Sequence, residues 1–325
     1  MPRVVSMTGL QMSQITEAFQ RCRRERRKAF IPFVAAGDPD WKATAAVLRI
    51  LDNAGADIIE LGIPFSDPIA DGPIIQASYQ RALARGTSLQ NSLAQLRRIR
   101  LRAPILLFTY LNPVLQYSLH AGRQGRTSFA SRRLGTPTAA TETEGRRTVP
   151  PQAPADVESS ACGRQLASGL EHFARKAAAG GVGGVLLSDL TPEEADPYRQ
   201  PLQTHGVDTV FLAAPTTTET RLRKILSICS GFLYLISRTG VTGKRTVLGN
   251  SLETQIAVIR RASDLPIAIG FGIRTPDDVR RGCAMADGVV VGSSIVKALH
   301  DLRRRRNWEK QFERYVSRLA AATRE

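Results

Sequence analysis

Residues Pro266–Ser293, PIAIGFGIRTPDDVRRGCAMADGVVVGS, hold one complete repeat of the fold. An apolar run, PIAIGF, leads through a glycine turn to Thr275-Pro276. An amphipathic stretch over Pro276–Cys283 follows, then a second apolar run, GVVVGS. Both runs are continuous rather than alternating, as strands buried on both faces of a parallel sheet are. Thr275 is a favoured N-cap and Pro276 suits the first helical position. The stretch therefore predicts strand, helix, strand.

Six more such runs lie upstream: Phe30–Ala36, Ile58–Ile63, Pro104–Tyr110, Gly184–Leu190, Thr209–Pro215 and Phe232–Ser237. Amphipathic stretches lie between them, among them Trp41–Ala54, Leu170–Ala179, Leu222–Ile228 and Ser251–Arg261. Asn250 with Glu253 has the form of a capping box. Eight strand–helix units predict an α/β fold, a (β/α)8 TIM barrel in a single domain over 1–325. An amphipathic helix over Gly9–Arg23 is expected to close the barrel floor. Met1–Thr8 is expected to be a loose leader, and Ile295–Leu319 to carry one or two helices.

Two gaps between strands are long. The first, 58 to 104, holds two helical stretches, Ile74–Ala84 and Leu89–Ile99. The second, 104 to 184, is longer than one helix explains. From Ser118 to Ser168 periodicity is lost and Ser, Thr, Gly, Pro and Arg dominate. That composition predicts a disordered insertion over 118–168, after strand three. A functional loop is the alternative.

The 325 residues are 42% hydrophobic, enough for a substantial core. No apolar run approaches the roughly 18–20 residues of a membrane-spanning helix, and Met1–Gln20 has no signal-peptide core. A cytoplasmic protein is expected, with no membrane association. The four cysteines and four histidines show no ligand spacing, so neither a metal site nor a disulfide framework is expected. The net charge is +16. Its main runs, Arg21–Lys28, Arg97–Arg102 and Arg303–Arg306, fall near predicted helix ends, where cations suit the helix dipole. Without aromatic interleaving they read as a solvated rim, and no nucleic-acid partner is expected.

In such a barrel the active face is built by the C-terminal ends of the strands and the loops after them. The second strand leads into Glu60–Pro73, ELGIPFSDPIADGP. Glu60 sits inside an apolar run, where desolvation raises a carboxyl pKa toward general-acid use. A buried ion pair is the alternative. Asp71 follows in a loop stiffened by Pro and Gly, so the two carboxylates could serve two protons on opposite sides of a substrate. Asp67 suits a cap or a loop hydrogen bond better than catalysis. Ser237–Gly243 reads as a lid. Glycine-rich turns after strands seven and eight, Gly270–Ile273 and Gly292–Ser294, match the phosphate site of this barrel type.

Together, Phe30–Asp40, Glu60–Pro73, Tyr234–Gly243, Gly270–Ile273 and Gly292–Val296 resemble the alpha subunit of tryptophan synthase in motif, order and spacing. The resemblance implies retro-aldol cleavage of indole-3-glycerol phosphate to indole and glyceraldehyde 3-phosphate. It implies no cofactor on this chain. By motif position Glu60 matches the acid that protonates the indole ring carbon, and Asp71 the carboxylate on the indole N–H. Tyr234 matches a tyrosine near the indole and glycerol, and Thr242 a lid threonine that positions Asp71. Gly243, Gly272, Gly292 and Ser293 match the phosphate cradle. Phe33 matches a wall of the indole pocket, with plain barrel core as its alternative. The implied partner is a pyridoxal-phosphate beta subunit in an alpha2-beta2 heterotetramer. It would be contacted through Pro64–Pro73 and the segment after Tyr110-Leu-Asn112-Pro113. Gly183 departs from an aspartate common in the family, with a minor change of loop geometry expected. Two other readings stay open. Another phosphate-binding barrel enzyme, such as a sugar-phosphate isomerase, explains the cradle but not Glu60 with Asp71. A basic binding protein on a barrel scaffold would bind DNA with a steep salt dependence.

Overall fold

The computed structural model describes residues 12–130, 161–236, 250–270 and 272–324. Eight strands pair in chain order, all parallel: β1 (Ala29–Ala35), β2 (Ile59–Gly62), β3 (Ile105–Thr109), β4 (Val182–Leu187), β5 (Asp208–Ala213), β6 (Leu233–Ile236), β7 (Ile267–Gly270) and β8 (Gly288–Val291). β8 pairs in parallel with β1, which closes the barrel. The (β/α)8 architecture read from the continuous apolar runs is the one that forms.

Nearly every strand residue is buried because each strand has two covered faces. Phe33, Phe108, Leu186, Val210, Tyr234, Ala268 and Val290 fill the interior. Val34, Leu61, Leu107, Val185 and Ile269 pack outward against the helices.

The helices in chain order are α1 (Gln14–Arg24), α2 (Trp41–Asn53), α3 (Pro73–Leu83), α4 (Leu89–Leu96), α5 (Leu111–Ala130), α6 (Ala161–Ala179), α7 (Asp196–Thr204), α8 (Glu219–Ile228), α9 (Asn250–Ala262), α10 (Pro276–Met285), α11 (Ser293–Leu302) and α12 (Trp308–Ala321). Thr275 caps α10 in a capping box with Asp278. No helix of the described residues is long and apolar enough to cross a membrane.

α1 closes the barrel floor: Ile15, Ala18 and Phe19 join the inner core, and Phe19 meets Phe232 with ring centroids 5.3 Å apart. Its start differs from the expected Gly9. Ser13 accepts from the Thr16 amide as N-cap and hydrogen-bonds Asp208 at the foot of β5, so the helix begins at Gln14. Met1–Thr8 lies outside the described residues.

The insertion is narrower than the expected 118–168. Residues 118–130 belong to α5 and 161–168 to α6. The two helices stabilise each other by packing. Gly169 lets the backbone at Ser118 approach, Gln165 donates to the Leu119 carbonyl at 2.8 Å, and Tyr117 meets Phe173 at 6.0 Å. Composition alone missed this because the close approach is made by glycine, which the composition marks as loop. Residues 131–160 lie outside the described residues.

Gly183 is in β4, not a loop. A Cβ there would meet Pro104, Gln14 and Ile15, so its lack of a side chain is a matter of floor packing against α1. The basic residues fall largely as expected. Arg21, Arg23 and Arg24 close α1, Arg97 follows α4, Arg260 and Arg261 end α9, and Arg303 follows α11. The basic pair Arg280-Arg281 lies inside α10, where its members pair with Asp277 and Asp278.

Candidate active site

Side chains alternate between the faces of a strand, so Glu60 and Gly62 of β2 share one face. Glu60 is in register with Phe33 of β1, and Phe33 belongs to the inner core. Glu60 is 2% exposed, and among the described residues no cation pairs with it. The ion-pair alternative therefore lapses. Burial first, and Asp71 second, push its carboxyl from 4.5 up to about 8. That shift favours the protonated carboxyl near neutral pH.

Asp71 ends the loop after β2. Its backbone is held on both sides: the Asp71 amide donates to the Pro68 carbonyl at 3.0 Å, and Gln76 donates to the Asp71 carbonyl at 2.8 Å. Burial raises the Asp71 carboxyl from 3.8 to about 6, against a hydrogen bond that holds it down. That bond comes from the Tyr110 hydroxyl, 2.6 Å from Oδ2. Tyr110 also accepts from the Ala70 amide at 3.2 Å. Burial opposes ionisation of both carboxyls, and Asp71 has a hydrogen bond that offsets it whereas Glu60 has none among the described residues. Asp67 is exposed and accepts from Ser66 at 2.7 Å, a loop hydrogen bond.

One cavity of about 130 Å³ at the barrel mouth is lined by Phe33, Glu60, Asp71 and Tyr234, and by Gly272, Gly292 and Ser293. Burial, with Glu60 and Asp71 nearby, holds the Tyr234 phenol well above its usual pKa. Gly272 has φ +90°, a backbone state that favours glycine. Gly292 precedes α11, whose N-terminus no side chain caps. Backbone amides at a helix start without a competing side chain suit an anion. Seven of the nine residues read from the sequence therefore meet in one place. Thr242 and Gly243, with the rest of the expected lid, lie outside the described residues.

The sequence reading missed Tyr110, Phe108 and Ile75. Phe108 and Ile75 line the cavity, and the Phe108 ring stands edge-on to Phe33 at 6.1 Å. Tyr110 directly follows β3, so reading every strand's C-terminal end with equal weight would have found it. Among the described residues no group of three or more His, Cys, Asp or Glu is placed to hold a metal ion.

Comparison with known proteins agrees with this fold. The sequence pattern of the tryptophan synthase alpha chain family matches residues 19–124 and 164–324 and skips the segment between. A tryptophan synthase alpha chain from Geobacter sulfurreducens is 42% identical over 288 residues, 88% of this chain and 90% of the relative. One from Solibacter usitatus is 38% identical over 310 residues, 95% of this chain and 97% of the relative. Among solved structures, tryptophan synthase from Mycobacterium tuberculosis superposes with a TM-score of 0.74 at 29% identity, over 97% of this chain and all of that one. Tryptophan synthase subunit alpha from Legionella pneumophila gives 0.73 at 28% identity, over 96% and 99%. The chain belongs to the tryptophan synthase alpha chain family.

Proposed function

We propose that this chain performs the family's lyase reaction, cleavage of indole-3-glycerol phosphate, in the cavity that joins Glu60 and Asp71 to the glycine cradle. The shared lining is the observation that carries the reading. An indole is a poor leaving group until its ring carbon is protonated. Glu60, kept protonated by burial, gives its proton to the carbon that bears the glycerol chain. Asp71 accepts from the indole N–H and offsets the positive charge that develops on the ring. The carbon–carbon bond then breaks, and its electron pair returns to the indole. The hydroxyl on the departing carbon loses its proton as the aldehyde forms, and the Glu60 carboxylate takes it. One proton enters and one leaves, so the residue ends as it began.

Gly272, Gly292 and Ser293, with Gly243, hold the phosphate through backbone amides and a hydroxyl. Phe33 and Tyr234 flank the indole, and Thr242 positions Asp71 from the lid. No cofactor is needed on this chain for this proton chemistry. The family name implies a beta subunit as partner. We assign pyridoxal phosphate to that subunit, an alpha2-beta2 assembly to the complex, and the cytoplasm as its place of action. The partner surface is the one formed by the loop after β2 and the start of α5. There Pro64 and Pro113 line a groove with Tyr117 and His172.

Indole release tests the reading. Glu60→Gln and Asp71→Asn each lower turnover by about a thousandfold or more while substrate still binds. Turnover within tenfold of the parent in either variant contradicts the assigned role.

A further inference from the structure

Tyr79, on the inner side of α3, is completely buried, and its hydroxyl has no hydrogen-bond partner among the described residues. A buried hydroxyl without a partner carries a desolvation cost that a phenylalanine in its place would not. Its location gives that cost a use. A Cβ built on Gly62 would run into the Tyr79 hydroxyl and the edge of the Phe33 ring. The phenol thus occupies the space a side chain at 62 would fill, and it belongs to the inner core with Phe33, Phe108, Tyr110 and Tyr234.

Glu60 lies two residues before Gly62 on the same face of β2. Two residues along a strand span roughly 6.6 Å, most of which a glutamate side chain covers when it tilts along the strand. Rotation of the Glu60 side chain along the strand can therefore carry its carboxyl toward the Tyr79 hydroxyl beside Gly62. Among the described residues no cation pairs with Glu60. Once it has released its proton, its carboxylate is buried in an apolar site where an ion without a donor is costly. Tyr79 is a donor with no other commitment among the described residues. Burial and the nearby Asp71, Tyr110 and Glu60 oppose its ionisation, so it keeps its proton.

We propose that Tyr79 is a positioning residue for the proton transfer: its O–H hydrogen-bonds the Glu60 carboxylate after Glu60 has protonated the indole ring, and holds it to receive the proton of the glycerol hydroxyl. Tyr79 keeps its own proton throughout and does not touch substrate. The inference rests on the reading of Glu60 as the acid.

The test is Tyr79→Phe, which removes only the oxygen, assayed beside Glu60→Gln in the full-length chain. Tyr79→Phe melts at or above the parent temperature, since the unpaired hydroxyl is gone. Its KM for indole-3-glycerol phosphate stays within about twofold and its kcat falls about ten- to a hundredfold. Loss of a donor to the charged form raises the Glu60 pKa, so the alkaline limb of kcat moves to higher pH. A kcat within twofold of the parent overturns the inference, and so does a fall in kcat with the alkaline limb unmoved. If Glu60→Gln is inactive while Tyr79→Phe is normal, the role of Tyr79 fails alone. If Glu60→Gln turns over normally, the role of Glu60 fails and that of Tyr79 with it.

Discussion

Glu60 and Asp71 are chemically similar, and their surroundings separate them. Glu60 has burial against it and no donor in the described structure, whereas Asp71 has the Tyr110 hydroxyl. Tyr110→Phe removes a hydrogen bond to the charged form, so the Asp71 pKa rises from about 6 and the acidic limb of kcat moves to higher pH. A pH–rate profile of the variant checks this; an unmoved acidic limb argues against the bond's role. The same shifts affect stability. The folded carboxyl of Glu60 holds its proton to about 8, against an ordinary value of 4.5. Between those values the folded state binds more protons than the unfolded chain. Its stabilising contribution is complete below about pH 4.5 and is lost as pH rises through about 8. Glu60→Gln therefore flattens the fall in stability over that window and is more stable than the parent at pH 9, by on the order of a few kcal/mol. Urea unfolding at several pH values measures it, and parallel parent and variant curves would refute it. Glu60 was legible in the sequence because a carboxylate interrupts an apolar run. Tyr110 was not, because an aromatic closing such a run looks like core until its partner, 39 residues away, is in place.

At the scale of elements, the strands were legible because a parallel barrel buries both faces and leaves continuous apolar runs. α10 was legible through its cap and proline. α7 was not, since Pro197 and Pro201 interrupt its pattern and only Tyr198 and Leu202 of its residues are buried. The flanks of the insertion were misread for a related reason. α5 and α6 are held there by mutual packing across small residues, which leaves little hydrophobic periodicity to read. Gly169→Val tests that packing. Its side chain would meet the Ser118 backbone, which cannot move aside as a flexible side chain can. A loss of about 2 kcal/mol or more in urea unfolding is expected, and an unchanged midpoint would show that the helices do not need the close approach.

For the whole molecule, the length resolves into a barrel, a floor helix and a segment the family pattern does not share. α5 and α6 already pack as a pair, so joining them by a short Gly/Ser linker in place of residues 131–160 keeps the fold and the lyase activity. Thermal melting and indole release check this, and loss of either assigns the segment a structural or catalytic role. The basic runs at Arg21–Lys28, Arg97–Arg102 and Arg303–Arg306 lie at or after the ends of α1, α4 and α11, while the cavity that gathers both carboxyls is otherwise lined by uncharged residues. The central claim is that a buried, protonated Glu60 supplies the proton that releases indole. The pH dependence of kcat/KM, which reports the substrate-free enzyme, tests it most directly: kcat/KM for indole release falls along a single-proton limb centred near pH 8, where Glu60 ionises. A kcat/KM that stays flat from about pH 6 to about pH 10 would contradict it.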